Sequence, residues 1–223
     1  MTTLLIATRN AHKVEEIRAI LGTGFHFLTL REYPGAPPVI EDADTFAGNA
    51  RKKALELARW LMTEAPPAAR EQLNADAFVL ADDSGLEVDA LNGAPGVHSA
   101  RFAALDTGRE GNSSDAENKA KLLRLLRNVP AEKRAARFRC VIALASPKPC
   151  GGDDDTQLFD GACEGRIALG ETGRGGFGYD PLFIPDGYDR SFGELSEAVK
   201  NQLSHRARAL GKLRAWFAQP GKR

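Results

Sequence analysis

Apolar and polar positions follow two rhythms along this chain, and the switches between them mark its elements. Leu4, Leu5, Ile6 and Ala7 form a short apolar run of the kind a buried strand needs. Val14, Ile17, Ile20 and Leu21 then recur at helical spacing, so a helix begins near Ala11 or His12. Residues 25–30 read as a second strand, followed by a loop containing Pro34, Gly35, Pro37 and Pro38. Thr45 caps a predicted helix over 46–62, with Ala50, Ala54, Leu57, Ala58 and Leu61 on its buried side. The stretch 63–76, with Pro66-Pro67, reads as a surface excursion carrying a helical turn.

Residues 78–81 form a strongly apolar strand that is expected to end in Asp82-Asp83-Ser84-Gly85. Residues 86–91 alternate apolar and polar before turns at Asn92-Gly93 and Pro95-Gly96. A helix over 114–126 bears Ala116, Ala120, Leu122, Leu123 and Leu126. Strands are predicted over 137–145 and 158–167 as partners, joined by a loop over 147–155. A glycine-rich segment, 173–178, leads through Tyr179-Asp180-Pro181 into a strand over 182–184. The last helices cover 192–199 and 201–217. Strands and helices intermix without an internal repeat, which predicts an α/β fold with a mixed sheet and flanking helices.

Composition narrows the class. The 223 residues suffice for one large domain or two intimate lobes, and we take 1–223 as a single domain. Hydrophobic residues make up 43% and charged residues 27%, as in ordinary globular proteins. Lys plus Arg and Asp plus Glu balance at 30 each, which argues against a nucleic-acid partner, since such binders carry a basic excess. Cys140, Cys150 and Cys163 are odd in number and lack metal-ligand spacing; Cys140 reads as a small core residue. The apolar run after Met1 meets Arg9 and Asn10 at once, so no signal peptide is expected, and no apolar run reaches the roughly 18 residues of a membrane span. These features predict a soluble, cytoplasmic protein without a membrane partner.

Candidate chemistry gathers where elements meet. Thr8, Arg9, Asn10, Ala11, His12 and Lys13 lie where a strand gives way to a helix, leaving backbone N–H groups and the positive dipole end facing outward. A hydroxyl, an amide and an ammonium at such a mouth suit a phosphate, although the glycines of a Walker loop are missing. The same stretch also fits an ordinary capped helix with a solvated lysine. Asp82 and Asp83 alternate, so one can face a ligand crevice while the other secures the loop. Glu41, Asp42 and Asp44 precede the Thr45 helix; if Glu41 and Asp83 converge, they make a hard oxygen site suited to Mg²⁺. Of Lys52 and Lys53, one points to the crevice and the other to water, and periodicity alone does not choose.

The glycines around Phe177 and Tyr179 permit close backbone approach, and either ring could stack on a base. Lys200, His205 and Arg206 lie around the junction of the last two helices as potential donors, and adjacent Ser204 and His205 cannot form a hydrolase triad. Asp153, Asp154 and Asp155 read as a solvated hairpin tip rather than a metal cluster.

In this order the motifs resemble one family. Thr8-Arg9-Asn10 with Lys13, Thr45-Phe46 with Asn49-Ala50 and Lys53-Ala54, Ala81-Asp82-Asp83-Ser84-Gly85-Leu86, Gly93-Ala94-Pro95-Gly96-Val97 with Ser99-Ala100-Arg101, Gly176-Phe177-Gly178-Tyr179-Asp180-Pro181-Leu182-Phe183, and Lys200-Asn201 with Ser204-His205-Arg206 are each weak alone. Together they resemble the non-canonical purine nucleoside triphosphate pyrophosphatases, the inosine/xanthosine triphosphate diphosphatases, from Leu5 to Leu213. The chain departs from that pattern at Gly48, where the family usually has glutamate, and at Arg9 and His12, where small residues are common. The segments 63–76 and 147–155 are longer than usual.

The resemblance implies a mixed twisted sheet with flanking helices, two lobes around a central nucleotide-binding cleft, and a homodimer. It implies Mg²⁺-dependent hydrolysis of ITP, dITP and XTP to the monophosphate and pyrophosphate. Carried over residue by residue, Thr8, Arg9, Asn10, Ala11, His12 and Lys13 bind the triphosphate, while Glu41 and Asp83 hold Mg²⁺. Asp83 also accepts the proton of the attacking water, and Lys53 and Ser84 contact the nucleotide. Phe177, Gly178, Tyr179, Asp180, Lys200, His205 and Arg206 form the nucleoside side. Two alternatives are a Maf-like pyrophosphatase acting on modified or pyrimidine triphosphates and a nucleotide sensor without turnover.

Overall fold

A computed structural model describes residues 1–73, 76–147 and 156–219. Six strands form one sheet in the order β2-β1-β3-β4-β5-β6: β1 Thr3–Ile6, β2 His26–Thr29, β3 Ala77–Val88, β4 Ala135–Ala145, β5 Gln157–Ile167 and β6 Phe183–Pro185. β1 runs parallel to both β2 and β3, with Leu5 opposite Leu28 on one side and Val79 on the other. A strand with parallel partners on both sides is covered on both faces, which is why all four β1 residues are buried and apolar side chains dominate it. β5 and β6 pair antiparallel, so the sheet is mixed as predicted. The helices are α1 Ala11–Leu21, α2 Phe46–Thr63, α3 Pro67–Glu71, α4 Asp115–Leu126, α5 Glu197–Leu203 and α6 His205–Phe217. Among the described residues no helix is long and apolar enough to cross a membrane.

The chain divides into two compact units. The first comprises residues 1–83, 141–160 and 208–223. Its α2 buries Ala50, Ala54, Leu57, Ala58 and Leu61, the predicted face, and Thr45 caps it by accepting from the Gly48 N–H at 3.0 Å. Phe25, Phe78 and Trp216 pack edge-on around Phe217, with centroids 4.9–5.5 Å from it. The second unit comprises residues 84–140 and 161–207. Its core gathers Leu86, Leu122, Leu126, Phe138, Phe183 and Phe192, with the Phe138 and Phe183 rings 4.7 Å apart.

Several expectations are corrected. Asp82-Asp83-Ser84-Gly85 does not end a strand: β3 continues unbroken from Ala77 to Val88. Two successive aspartates ordinarily disfavour strand structure, but here each carboxylate meets a lysine, Asp82 with Lys13 and Asp83 with Lys53, so the backbone stays extended and buried. The helix predicted over 192–199 starts only after Ser196, whose hydroxyl caps α5, and the last two helices break at Ser204 rather than near Lys200. On α4 the buried stripe is Asn118, Leu122 and Leu126, whereas Ala116 and Ala120 are exposed. Cys140 and Cys163 are both buried. Cys150 and the aspartates 153–155 lie outside the described residues.

Candidate active site

In the first unit, β1 ends at Ile6 and α1 starts at Ala11. Asn10 caps the helix: its side-chain oxygen accepts from the Lys13 N–H at 3.2 Å, and its own N–H donates to the Thr8 hydroxyl at 3.2 Å. The turn is a capped helix start, but Lys13 is not the solvated lysine that the plain reading expected, because its ammonium is tied to the buried Asp82 carboxylate. That pair anchors one positive charge at the mouth of α1. Arg9 donates to the Ala36 carbonyl at 2.9 Å. A cavity of about 340 Å³ opens beside Thr8, Arg9 and Ala11, lined further by Arg18 and Arg31; Glu41, Lys53 and Asp83 do not line it.

The acidic set centres on Lys53. Its ammonium donates to Glu41 Oε1 at 3.0 Å, to Asp83 Oδ1 at 2.9 Å and to the Asp82 carbonyl at 2.9 Å. Glu41 and Asp83 therefore do converge, on one buried cation. Lys52, one position earlier, pairs instead with the exposed Asp42 at 2.7 Å, so the helix itself settles which lysine turns inward. Burial works to lower the Lys53 ammonium, but Asp83 and Glu41 together more than reverse this and hold it above its ordinary value. Burial likewise pushes the Asp83 carboxyl upward, against the pull of Lys53.

The donor set fits Mg²⁺. Two carboxylates already gather around a single positive charge, and both offer hard oxygens. Among the described residues no group of three His, Cys, Asp or Glu could hold a metal ion. A cation here would complete its shell with water and phosphate oxygens, as Mg²⁺ commonly does.

In the second unit, Asp180 organises the glycine-rich loop. Its Oδ2 accepts from the Lys200 ammonium at 2.6 Å and from the Phe177 N–H at 2.8 Å. Gly176 adopts φ +71°, and a Cβ there would stand 2.2 Å from the same oxygen, so only glycine fits. The Lys200 ammonium lies 4.7 Å from the Phe177 ring centre and the Arg206 guanidinium carbon 5.9 Å from it. Arg206 is buried and donates to the Ser84 hydroxyl at 2.9 Å. His205 stacks on Phe138 with centroids 4.8 Å apart and planes 16° from parallel.

The two aromatic candidates part company. Tyr179 is packed in the core with its hydroxyl donating to the Ser99 carbonyl at 2.9 Å, and burial drives its pKa far up, whereas Phe177 is only half-buried.

Two positions escaped the sequence reading of roles: Phe138 backs His205, and the fully buried Asn49 accepts from the Ala43 N–H at 3.0 Å while its amide faces Asp83 Oδ2 at 3.4 Å. An asparagine one position past the first turn of an amphipathic helix, on its buried side, was the available signal for the last. Gly48 has a local cause: a Cβ would stand 2.7 Å from the Ala43 Cβ, so a glutamate would displace the segment that Asn49 holds.

The Ham1 family model matches residues 4–216. A dITP/XTP pyrophosphatase of Opitutus terrae is 42% identical over 220 residues, covering 96% of this chain and 97% of the relative. A dITP/XTP pyrophosphatase of Geobacter sulfurreducens is 46% identical over 215 residues, covering 96% of each. Among solved structures, a HAM1 protein from Coxiella burnetii is 34% identical with a TM-score of 0.76, over 96% of this chain and 98% of that one.

Proposed function

The chain belongs to the Ham1 family, and from that membership we propose that it hydrolyses inosine and xanthosine triphosphates, dITP included, to the monophosphate and pyrophosphate. The observation that carries the reading is Lys53 held between Glu41 and Asp83, an acidic pair gathered around a cation at the buried stretch of β3. We read the whole chain as one catalytic domain, a reading supported by the family match over residues 4–216.

Thr8, Arg9, Asn10, Ala11, His12 and Lys13 take the triphosphate, with Lys13 fixed in place by Asp82. Glu41 and Asp83 would hold Mg²⁺, which neutralises phosphate charge that otherwise repels a nucleophile. Asp83 orients water and accepts its proton as the α–β phosphoanhydride bond breaks and pyrophosphate leaves. Its burial favours proton acceptance while Lys53 opposes it, so orientation and charge stabilisation contribute more than basicity. Lys53 and Ser84 contact the nucleotide.

Phe177, Gly178, Tyr179, Asp180, Lys200, His205 and Arg206 form the nucleoside side, with Phe177 as the stacking ring. Arg206 or His205 donates to O6 of the oxo-purine. Adenine presents an amino donor at that position, and two donors left facing each other in a buried site cost about 1–3 kcal/mol. We also place the protein in the cytoplasm, as a homodimer; an odd count of three cysteines suits a reducing compartment.

Pyrophosphate release from a panel of ITP, dITP, XTP, ATP, GTP and pyrimidine triphosphates, with and without Mg²⁺, tests this reading. Preferential, Mg²⁺-dependent release from ITP, dITP and XTP is expected. Preference for modified or pyrimidine triphosphates would favour Maf-like chemistry, and tight binding without release would make the protein a sensor. Nothing in the site favours either alternative, since both acids and their shared lysine are present.

A further inference from the structure

The peptide planes on either side of the Phe177 Cα are both held by carboxylates. Its own N–H donates to Asp180 Oδ2 at 2.8 Å, and the N–H of Gly178 donates to Asp115 Oδ2 at 2.7 Å. Gly176 and Gly178 flank the ring with φ of +71° and +61°, a region where glycine keeps wide conformational freedom. The direction of the Phe177 side chain therefore depends on these two hydrogen bonds. The two acids differ in setting. Asp180 is buried and shared with Lys200, whereas Asp115 is exposed and reaches the loop from the first turn of α4, 63 residues away in sequence.

The helix that carries Asp115 is firmly seated. Ser114 and Glu117 form a reciprocal capping box, and Leu122 and Leu126 are fully buried. The Asn118 side chain accepts from the Ala103 N–H at 2.8 Å and donates to the Ala100 carbonyl at 3.1 Å. We propose that Asp115 is a positioning residue for base recognition: from α4 it clamps the Gly178 peptide, so that Phe177 presents its ring to the purine. This rests on the reading of Phe177 as the stacking residue. An exposed side chain can be removed without leaving a cavity, so Asp115→Ala removes the acceptor alone. Asp115→Asn keeps an acceptor oxygen but loses the charge that favours a helix N-terminus, which separates the clamp from helix stabilisation.

The experiment measures kcat and KM for ITP in the wild type, Asp115→Ala and Asp115→Asn, with amide exchange at Gly178 followed by NMR. Asp115→Ala should raise KM about five- to twentyfold with kcat within about twofold, and speed Gly178 exchange by roughly tenfold or more. Asp115→Asn should stay within about twofold of wild type in KM. In a Phe177→Ala background, Asp115→Ala should add little, because the ring it aims is gone. An unchanged KM in Asp115→Ala overturns the proposal, even if exchange quickens, and so does an equal rise in the alanine and asparagine variants. If the wild type releases no pyrophosphate from any triphosphate, the functional reading fails separately. Calorimetric binding of ITP then decides the clamp: weaker binding by Asp115→Ala supports it and equal binding overturns it.

Discussion

At the scale of single residues, neighbours of the same type do different work because burial sorts them. Lys53 is buried against two carboxylates, while Lys52 reaches an acid that is 63% exposed, a pair worth little in water. Asp83→Asn keeps the shape of the buried side chain and leaves Lys53 bound to Glu41 and the Asp82 carbonyl, so the protein should stay folded. It removes both charge and proton acceptance, and we expect kcat to fall by at least about 10²-fold. Near-normal pyrophosphate release, alongside an unchanged melting transition, would exclude Asp83 from the chemistry. Arg206→Ala should shrink the ratio of kcat/KM for ITP over ATP more than it changes KM for either phosphate chain. The reason is that a donor aimed at O6 helps one base and penalises the other. If both substrates lose equally, Arg206 serves Ser84 and the core instead, the role its hydrogen bond at 2.9 Å already gives it.

At the scale of elements, helix ends carry much of the local specification. In α4 the Glu117 carboxylate accepts from both the N–H and the hydroxyl of Ser114 at 2.8 Å, with Arg109 alongside. The Ser114 N–H, followed by its hydroxyl and Arg109, draws the Glu117 carboxyl down from its ordinary 4.5 to about 2. A carboxylate lowered on folding stabilises the protein above its unfolded pKa and loses that contribution as pH falls through the folded value. Glu117→Gln should therefore melt lower than wild type at neutral pH, with the gap closing as pH falls from 4.5 to about 2. Melting temperatures across that range check the sign; a gap that persists at the acid end would trace to side-chain shape rather than charge. Element boundaries were the least legible feature. β3 runs through two aspartates because lysines from α1 and α2 answer each carboxylate, and no local pattern announces such partners.

At the scale of the molecule, each compact unit is assembled from separated stretches of chain. The first draws on residues 1–83, 141–160 and 208–223, and its aromatic cluster joins Phe25, Phe78, Phe159, Trp216 and Phe217 from all three. Phe217 is 6% exposed and touches three of the other rings edge-on or nearly so. Phe217→Ala should cost about 3–5 kcal/mol of stability through lost burial and the cavity left behind. Urea unfolding would register this as a lower midpoint, with KM for ITP unchanged, as expected of a cluster that serves stability alone. A midpoint within error of wild type would show that the last turn of α6 is dispensable to this core.

Read alone, the order of residues determined the alternation of strands and helices, the capping of α2 by Thr45, the burial of its apolar face and the mixed character of the sheet. These follow from period and capping, which are local properties of the chain. The motif set also identified the candidate residues, because spacing along strands and glycine-rich turns is written directly in sequence. Tertiary structure alone decided which of two lysines turned inward, that Glu41 and Asp83 share one ammonium, and that Lys13 is anchored by Asp82 across 69 residues. It also separated Phe177 from Tyr179 and brought Asp115 to the Gly178 peptide. Such pairings are long-range: a buried charge takes whichever partner the packed elements bring within reach, and its desolvation makes that choice nearly obligatory.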